Sequence, residues 1–197
     1  RIREFRVPPT SESSLVDRSS TKRHYTASEL EAIARKRYEE PSHFGNTKDM
    51  DYVARMMLDH TNAFRRQHNL PAVIWSQEIT NICRVHSKAM GDRKVKFGHD
   101  GFKQRVARFR SVGIYHRSAA ENVAMNSGLS YADTARATVT GWINSPGHRK
   151  NLLSKSNYCG IGVYRNFDGH YYATQIFADV DETQVQKEKR MREQGQK

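Results

Sequence analysis

The stretch that decides the fold is Trp142-Ile-Asn-Ser-Pro-Gly-His-Arg-Lys-Asn-Leu-Leu153. Apolar residues at helical spacing predict a helix over 129–144, which ends inside this stretch. Ser145 and Pro146 predict that a second helix starts at once, because Ser is a favoured N-cap and Pro is favoured at the first helical position. His148 then lies in the first turn of this second helix.

Working outward, the apolar pattern predicts helices before this stretch and strands after it. The helices are expected from about Met50 to Gln67, after an N-cap at Ser76, and from Phe102 to Ser111. The buried stripe of the Ser76-capped helix includes Cys83 and His86, and a satisfied core role is expected for His86. Val, Ile, Tyr and Phe predict strands over 158–165 and 171–178, and Asn166-Phe-Asp-Gly169 between them indicates a hairpin.

The two ends of the chain differ from this body in composition. Residues 1–24 contain Pro8-Pro9 and many Ser and Thr, which predicts an extended arm, and a capping box then predicts a short helix over 27–40. The residues after 179 are mostly Gln, Lys, Glu and Arg. We therefore expect an arm with a short helix at 1–48, a folded domain at 49–179 and a charged tail at 180–197.

Composition limits the class of protein. No apolar run approaches the roughly 20 residues of a membrane-spanning helix, so we expect no membrane span. Cys83 and Cys159 are the only two cysteines, too few for a disulfide scaffold, and we expect reduced thiols with one bridge as the alternative.

The formal net charge of the 197 residues is +12, and it is concentrated in the middle of the chain. Residues 51–178 hold 18 Lys and Arg against 8 Asp and Glu, whereas residues 179–197 are balanced. Within 84–117, ten cations accompany only Asp92 and Asp100. Such a cluster predicts a site for a polyanion, and its members are Arg84, Lys88, Arg93, Lys94, Lys96, Lys103, Arg105, Arg108, Arg110 and Arg117.

The chain contains eight short motifs, among them Asn62-Ala-Phe-Arg65, Phe97-Gly-His-Asp-Gly101, Ala120-Glu-Asn-Val-Ala124 and the opening stretch. In their order and spacing these motifs resemble the CAP superfamily, named for cysteine-rich secretory proteins, antigen 5 and pathogenesis-related proteins. The resemblance covers about residues 53–178 and is to the branch typical of bacteria. It implies a three-layer α/β/α sandwich, with helices on both faces of a small, largely antiparallel sheet.

The same resemblance implies a polar cleft with two histidines and two acids, which holds a divalent metal in some members. The histidines fall on His99 and His148 and one acid falls on Glu121. The position of the second acid is Ser145, so this sequence departs from the pattern and loses one carboxylate.

Several chemistries are open to these four residues. Two imidazoles and one carboxylate suit zinc, which would lower the pKa of a bound water to roughly 7. Ser145, His148 and Glu121 contain the groups of a serine nucleophile, but the N-cap role explains Ser145 without a reaction. A hydrogen-bonded structural cluster is the third interpretation and the one we expect. We expect no resident cofactor, with a divalent metal such as zinc as the alternative.

Two hypotheses about function follow. In the first, the chain is a non-enzymatic docking subunit of a large assembly, inside the cell. Its basic face and arms bind an acidic lattice, with tubulin in a ciliary microtubule favoured over a ribonucleoprotein because no RNA-binding motif is present. In the alternative, it is a secreted or membrane-associated CAP protein whose cleft binds metal, lipid or peptide, with hydrolysis included.

Overall fold

The computed structural model describes residues 47–186, and the expected helix at 27–40, the arm and most of the charged tail lie outside the described residues. The α-helices are α1 (Thr47–Gln67), α2 (Gln77–Gly91), α3 (Phe102–Ala107), α4 (Tyr131–Asn144) and α5 (Pro146–Leu152). A 3-10 turn spans Arg110–Val112. The strands are β1 (Ile74–Trp75), β2 (His116–Asn126), β3 (Tyr158–Arg165) and β4 (Tyr171–Val180).

The helix starts follow from local sequence. Ser76 caps α2 by accepting a hydrogen bond from the backbone N–H of Ile79, and Ser130 caps α4 in the same way through Asp133. Ser145 is the N-cap of α5 and Pro146 its first residue, as the sequence predicts, although the Ser145 hydroxyl makes no capping bond. These caps satisfy N–H groups that a helix cannot satisfy internally.

The four strands form one sheet in the order β1-β3-β4-β2. The predicted hairpin is present, with β3 antiparallel to β4, and β2 is antiparallel to β4 on its other side. Short β1 pairs in parallel with the start of β3. β2 is therefore an edge strand, and it carries Glu121 opposite Ile176 of β4.

Alternating side chains of β3 and β4 build a separate core on each face of the sheet. On one face, Ile161 and Phe177 pack with Trp142 of α4 and with residues of α1. On the opposite face, Ile176 packs with Ile79 of α2 and with Phe109. Helices thus cover both faces, and the predicted three-layer α/β/α sandwich is confirmed.

Two glycines of β3 let α2 lie directly on the sheet. A Cβ at Gly160 would overlap the backbone of α2 at Ile79 and Thr80, and one at Gly162 would overlap it at Cys83 and Arg84. The absence of a Cβ at these two positions therefore allows the helix to approach the strand this closely.

The structure differs from the sequence predictions in three elements. β2 was not predicted, because its residues are small and polar and do not alternate in hydrophobicity. The predicted helix over 102–111 is shorter and ends at Ala107, after which a 3-10 turn follows. The helix predicted from 129 begins at Tyr131, since Ser130 is its N-cap.

Cys83 and Cys159 are both buried, and the structure has no disulfide bond between them. They lie in the cores on opposite faces of the sheet. Burial raises the pKa of both thiols, which keeps them protonated and unreactive. Within residues 47–186, no helix is both long enough and apolar enough to cross a bilayer.

Candidate functional site

Glu121 is the centre of the candidate cleft. It lies in the middle of edge strand β2, and its side chain is only 2% exposed. A buried carboxylate is costly unless charged or hydrogen-bonding partners surround it. The identity of those partners decides what the cleft can do.

The principal partner of Glu121 is Arg105 of α3. Arg105 Nε donates to Oε2 at 2.7 Å, and Nη2 donates to Oε1 at 2.7 Å, so the guanidinium grips both oxygens. The same guanidinium donates to the backbone carbonyls of Asp100 and His99. Arg105 is thus a buried member of the cleft, and the prediction that it binds a polyanion is wrong because its guanidinium is already paired with Glu121.

The two predicted histidines flank this ion pair. His99 Nδ1 donates to Glu121 Oε1 at 3.0 Å, while its side chain remains 51% exposed. The ring of His148, in the first turn of α5, lies with its centroid 6.4 Å from that of His99. Burial, followed by the charge of His99, lowers the pKa of His148. The structure therefore brings His99, Glu121 and His148 together as the motifs imply.

His86 forms a second layer behind Arg105. Its Nε2 lies 2.9 Å from the carbonyl oxygen of Gly98, which can only accept, so Nε2 carries the proton. Its Nδ1 is then free to accept from Arg105 Nη1 at 3.1 Å. The buried imidazole is neutral and satisfied on both sides, as expected for a core histidine. Burial lowers its pKa, and the charge of Arg105 adds to the effect.

Asparagines join the cleft to α5. Asn151 Nδ2 donates to the backbone carbonyl of Glu121 at 3.0 Å and to Asn122 Oδ1 at 2.9 Å. Asn122 Nδ2 in turn donates to Gln175 Oε1 at 3.1 Å. Within the described residues, no hydrogen bond connects Ser145 with His148 or Glu121.

The hydrogen bonds of Glu121 decide whether the cleft can hold a divalent metal. Both Glu121 oxygens accept hydrogen bonds from Arg105, and Oε1 accepts from His99 as well, so N–H donors enclose the carboxylate and its charge is already balanced. Among residues 47–186, no group of three His, Cys, Asp or Glu side chains is placed to hold a metal. The residues present do not fit the metal that the resemblance implied, because a guanidinium already neutralises the carboxylate.

The remaining nine cations of the predicted polyanion set are distributed over the surface. Five of them form ion pairs: Arg84 with Asp51, Lys88 and Lys94 with Asp92, Arg93 with Asp168, and Arg117 with Asp179 and Asp181. The other four are exposed and form no ion pair within residues 47–186, namely Lys96, Lys103, Arg108 and Arg110.

These cations do not form one contiguous cluster. Lys94 and Lys96 belong to the loop after α2, next to the β3–β4 turn, because Arg93 of the same loop reaches Asp168 in that turn. Arg110 instead lies over Tyr115, beside the start of β2 and a cavity of about 380 Å³. Lys94 and Lys96 therefore lie at one end of β2 and Arg110 lies at the other, although these residues are close in the sequence.

The fold and cleft together define a class: an α/β/α domain with two histidines and one glutamate gathered over an edge strand. Residues 58–177 match the CAP family, described as the Cysteine-rich secretory protein family. The chain belongs to this family.

Two relatives from Bacillus subtilis (strain 168) are similar in sequence. An uncharacterized membrane protein, YlbC, is 36% identical over 125 residues, which cover 62% of this chain and 33% of YlbC. An uncharacterized protein, YkwD, is 30% identical over 109 residues, which cover 54% of this chain and 40% of YkwD. The match thus spans well under half the length of either relative.

Solved structures of two bacterial proteins are also similar to this chain. An extracellular protein containing an SCP domain, from Bacillus anthracis str. Ames, has a TM-score of 0.55 and 29% identity, covering 75% of this chain and 49% of that chain. An outer surface protein from Borrelia burgdorferi has a TM-score of 0.57 and covers 71% of this chain and 98% of that one. The latter is 15% identical and shows the fold alone.

These relatives are bacterial, and they favour the secreted or membrane-associated alternative over the intracellular hypothesis. They give no support to a cilium, a microtubule or tubulin.

Sequence reasoning missed the role of Arg105. It is one of ten cations within residues 84–117, and no local signal marks it as the buried one.

Proposed function

We propose that this chain provides a non-catalytic CAP domain that works outside the cytoplasm and docks on an anionic membrane surface. The membrane protein from Bacillus subtilis and the extracellular protein from Bacillus anthracis support the location. Because the match spans only part of each of these proteins, the activity of the whole proteins is not carried over.

The observation that carries the non-catalytic part is the bidentate Arg105–Glu121 pair. A general base needs a carboxylate or imidazole that can take a proton from substrate or water. Glu121 is buried and already accepts from three N–H donors, and within residues 47–186 Ser145 forms no hydrogen bond with a histidine or carboxylate. His99 and His148 remain, but an imidazole pair without a nucleophile or a polarising group lacks the parts of a hydrolase.

The docking part rests on charge. The predicted polyanion set includes four exposed cations that form no ion pair within residues 47–186. Surface ion pairs such as Arg93–Asp168 are weak, so those cations can also interact with a ligand. An anionic lipid surface attracts cations within about a Debye length, roughly 10 Å at 0.1 M salt. Nucleic acid and tubulin are not proposed, because the related proteins come from bacteria and one is extracellular.

The test is co-sedimentation of the full chain with vesicles. Binding is expected to vesicles that contain phosphatidylglycerol and not to pure phosphatidylcholine, and it should weaken as salt is raised. His99→Ala and His148→Ala are the matched cleft variants and should bind like the wild type. Failure of the wild type to bind anionic vesicles at low salt would overturn the docking role. Hydrolysis of an ester or peptide substrate that His99→Ala abolishes would overturn the non-catalytic role.

A further inference from the structure

One end of the molecule combines exposed apolar side chains with cations. We call it the hairpin end and define it by the loop after α2 (residues 92–97), the β3–β4 turn (166–169) and the last residues of β2. These parts are in contact: Arg93 Nη2 donates to Asp168 Oδ2 at 2.7 Å, and the ring centroids of Phe97 and Tyr172 are 6.5 Å apart. Tyr172 pairs with Met125 in the sheet.

The apolar side chains at this end are large and exposed. Phe97 is 52% exposed, Val95 39% and Met125 50%, and Phe167 in the turn is 82% exposed. With Leu129, which follows β2, they account for five of the eight large exposed hydrophobic side chains in the described part of the chain. Soluble surfaces rarely gather apolar groups in this way unless they bind a partner.

Cations alternate with these apolar residues in the loop, which reads Arg93-Lys-Val-Lys-Phe97. Arg93 and Lys94 side chains are 79% and 71% exposed, and Lys96 is exposed as well. The nearby acids Asp92 and Asp168 are held by Lys88, Lys94 and Arg93. The outer surface of the loop therefore presents positive charge beside apolar groups.

This combination matches the chemistry of one partner. Anionic lipid headgroups attract Lys and Arg, while Val and Phe side chains enter the boundary between headgroups and acyl chains. We infer that the hairpin end inserts Val95 and Phe97 into an anionic bilayer, with Lys94 and Lys96 on the headgroups. The inference rests on the proposed function and names the surface and the mode of contact.

A protein partner is the competing occupant. It would need a complementary acidic and apolar surface of definite shape, whereas a bilayer needs only an exposed apolar tip surrounded by cations. The loop supplies that tip, since Val95 stands between Lys94 and Lys96, and Phe97 follows Lys96 directly.

The test compares two double variants on phosphatidylglycerol-containing vesicles. Val95→Ser with Phe97→Ser should weaken binding about tenfold, because two apolar side chains no longer enter the interface. The control is Ile74→Ser with Val112→Ser, two residues of similar exposure (52% and 43%) near the other end of the sheet. The control should bind like the wild type. Circular dichroism checks that both variants fold.

A second measurement reports insertion directly. Phe97→Trp should shift its emission to shorter wavelength on binding and be quenched by brominated lipids, and Val112→Trp should do neither. Wild-type binding with an unaffected Val95→Ser/Phe97→Ser variant, or equal loss in the control, would overturn the inference and leave the proposed function standing. Absence of any wild-type binding would overturn both.

Discussion

At the scale of single residues, the charge balance inside the cleft governs what Glu121 can do. Arg105 occupies both of its oxygens and is itself held by backbone carbonyls, so the pair is a fixed structural unit. A carboxylate held in this way has its negative charge balanced and already accepts three hydrogen bonds from N–H donors. The cleft of this chain is therefore an ion pair flanked by two histidines.

This view predicts the outcome of a double-mutant cycle on the pair. Arg105→Met leaves a buried carboxylate without its counter-charge and should lower the free energy of unfolding by about 3–5 kcal/mol. Glu121→Leu should lower the free energy of unfolding by a comparable amount, because it leaves the buried Arg105 without its counter-charge. The double variant should be much less destabilised than the sum of the two, as urea denaturation would measure. Additive effects would mean that the pair is not coupled.

His86 predicts a dependence of stability on pH. Its folded-state pKa is lowered, first by burial and also by the charge of Arg105, below the ordinary value of 6.5. The unfolded chain then binds a proton more readily than the folded one, so the stabilisation is present above pH 6.5 and is lost as the pH falls through the folded-state pKa.

The measurement is the free energy of unfolding of two variants from neutral to acid pH. His86→Gln keeps an acceptor for Arg105 and a donor for Gly98, and it should reduce the loss of stability in acid. His170→Gln, on the half-exposed end of the hairpin, is the matched control and should follow the wild type. If the two variants lose stability equally, His86 is not the group responsible.

At the scale of secondary-structure elements, the contact between α2 and β3 depends on glycine. Gly162→Ala forces a Cβ against the backbone of α2, which cannot move without disturbing the core, and should destabilise the fold by about 1–3 kcal/mol or more. Gly141→Ala on the exposed face of α4 meets nothing and should stabilise by about 0.5–1 kcal/mol, since alanine favours a helix. Thermal unfolding would distinguish the two. Equal effects would contradict the packing argument.

The elements that sequence could predict are those whose signal is local. The helices around Ser76 and Ser145 follow from their caps, and the β3–β4 hairpin follows from its apolar strands and turn residues. β2 could not be predicted, because Glu121 and Asn122 are polar residues buried by partners that lie far away in the chain. The same applies to the cleft: motifs place His99, Glu121 and His148 together, but the sequence gives no sign that Arg105 joins them.

At the scale of the whole molecule, the position of the charges decides how the domain would meet a membrane. Lys94 and Lys96 lie at the hairpin end, whereas Arg110 lies by the start of β2. The 11 residues of β2 separate these ends. At about 3.3 Å per residue the separation is roughly 30 Å, about three times the screening length in 0.1 M salt. When the hairpin end contacts a flat anionic surface with β2 upright, Arg110 therefore lies beyond the screening length and adds little attraction.

Two charge reversals of equal size test this orientation. Lys94→Glu with Lys96→Glu should weaken binding to phosphatidylglycerol-containing vesicles by about thirtyfold or more, since each cation at the surface contributes about 1 kcal/mol. Arg108→Glu with Arg110→Glu changes the net charge by the same amount and should have little effect, because these residues face away from the bilayer. Equal losses in the two variants would mean that net charge alone attracts the protein, without a preferred face. A larger loss in the second variant would place the contact at the opposite end of the molecule.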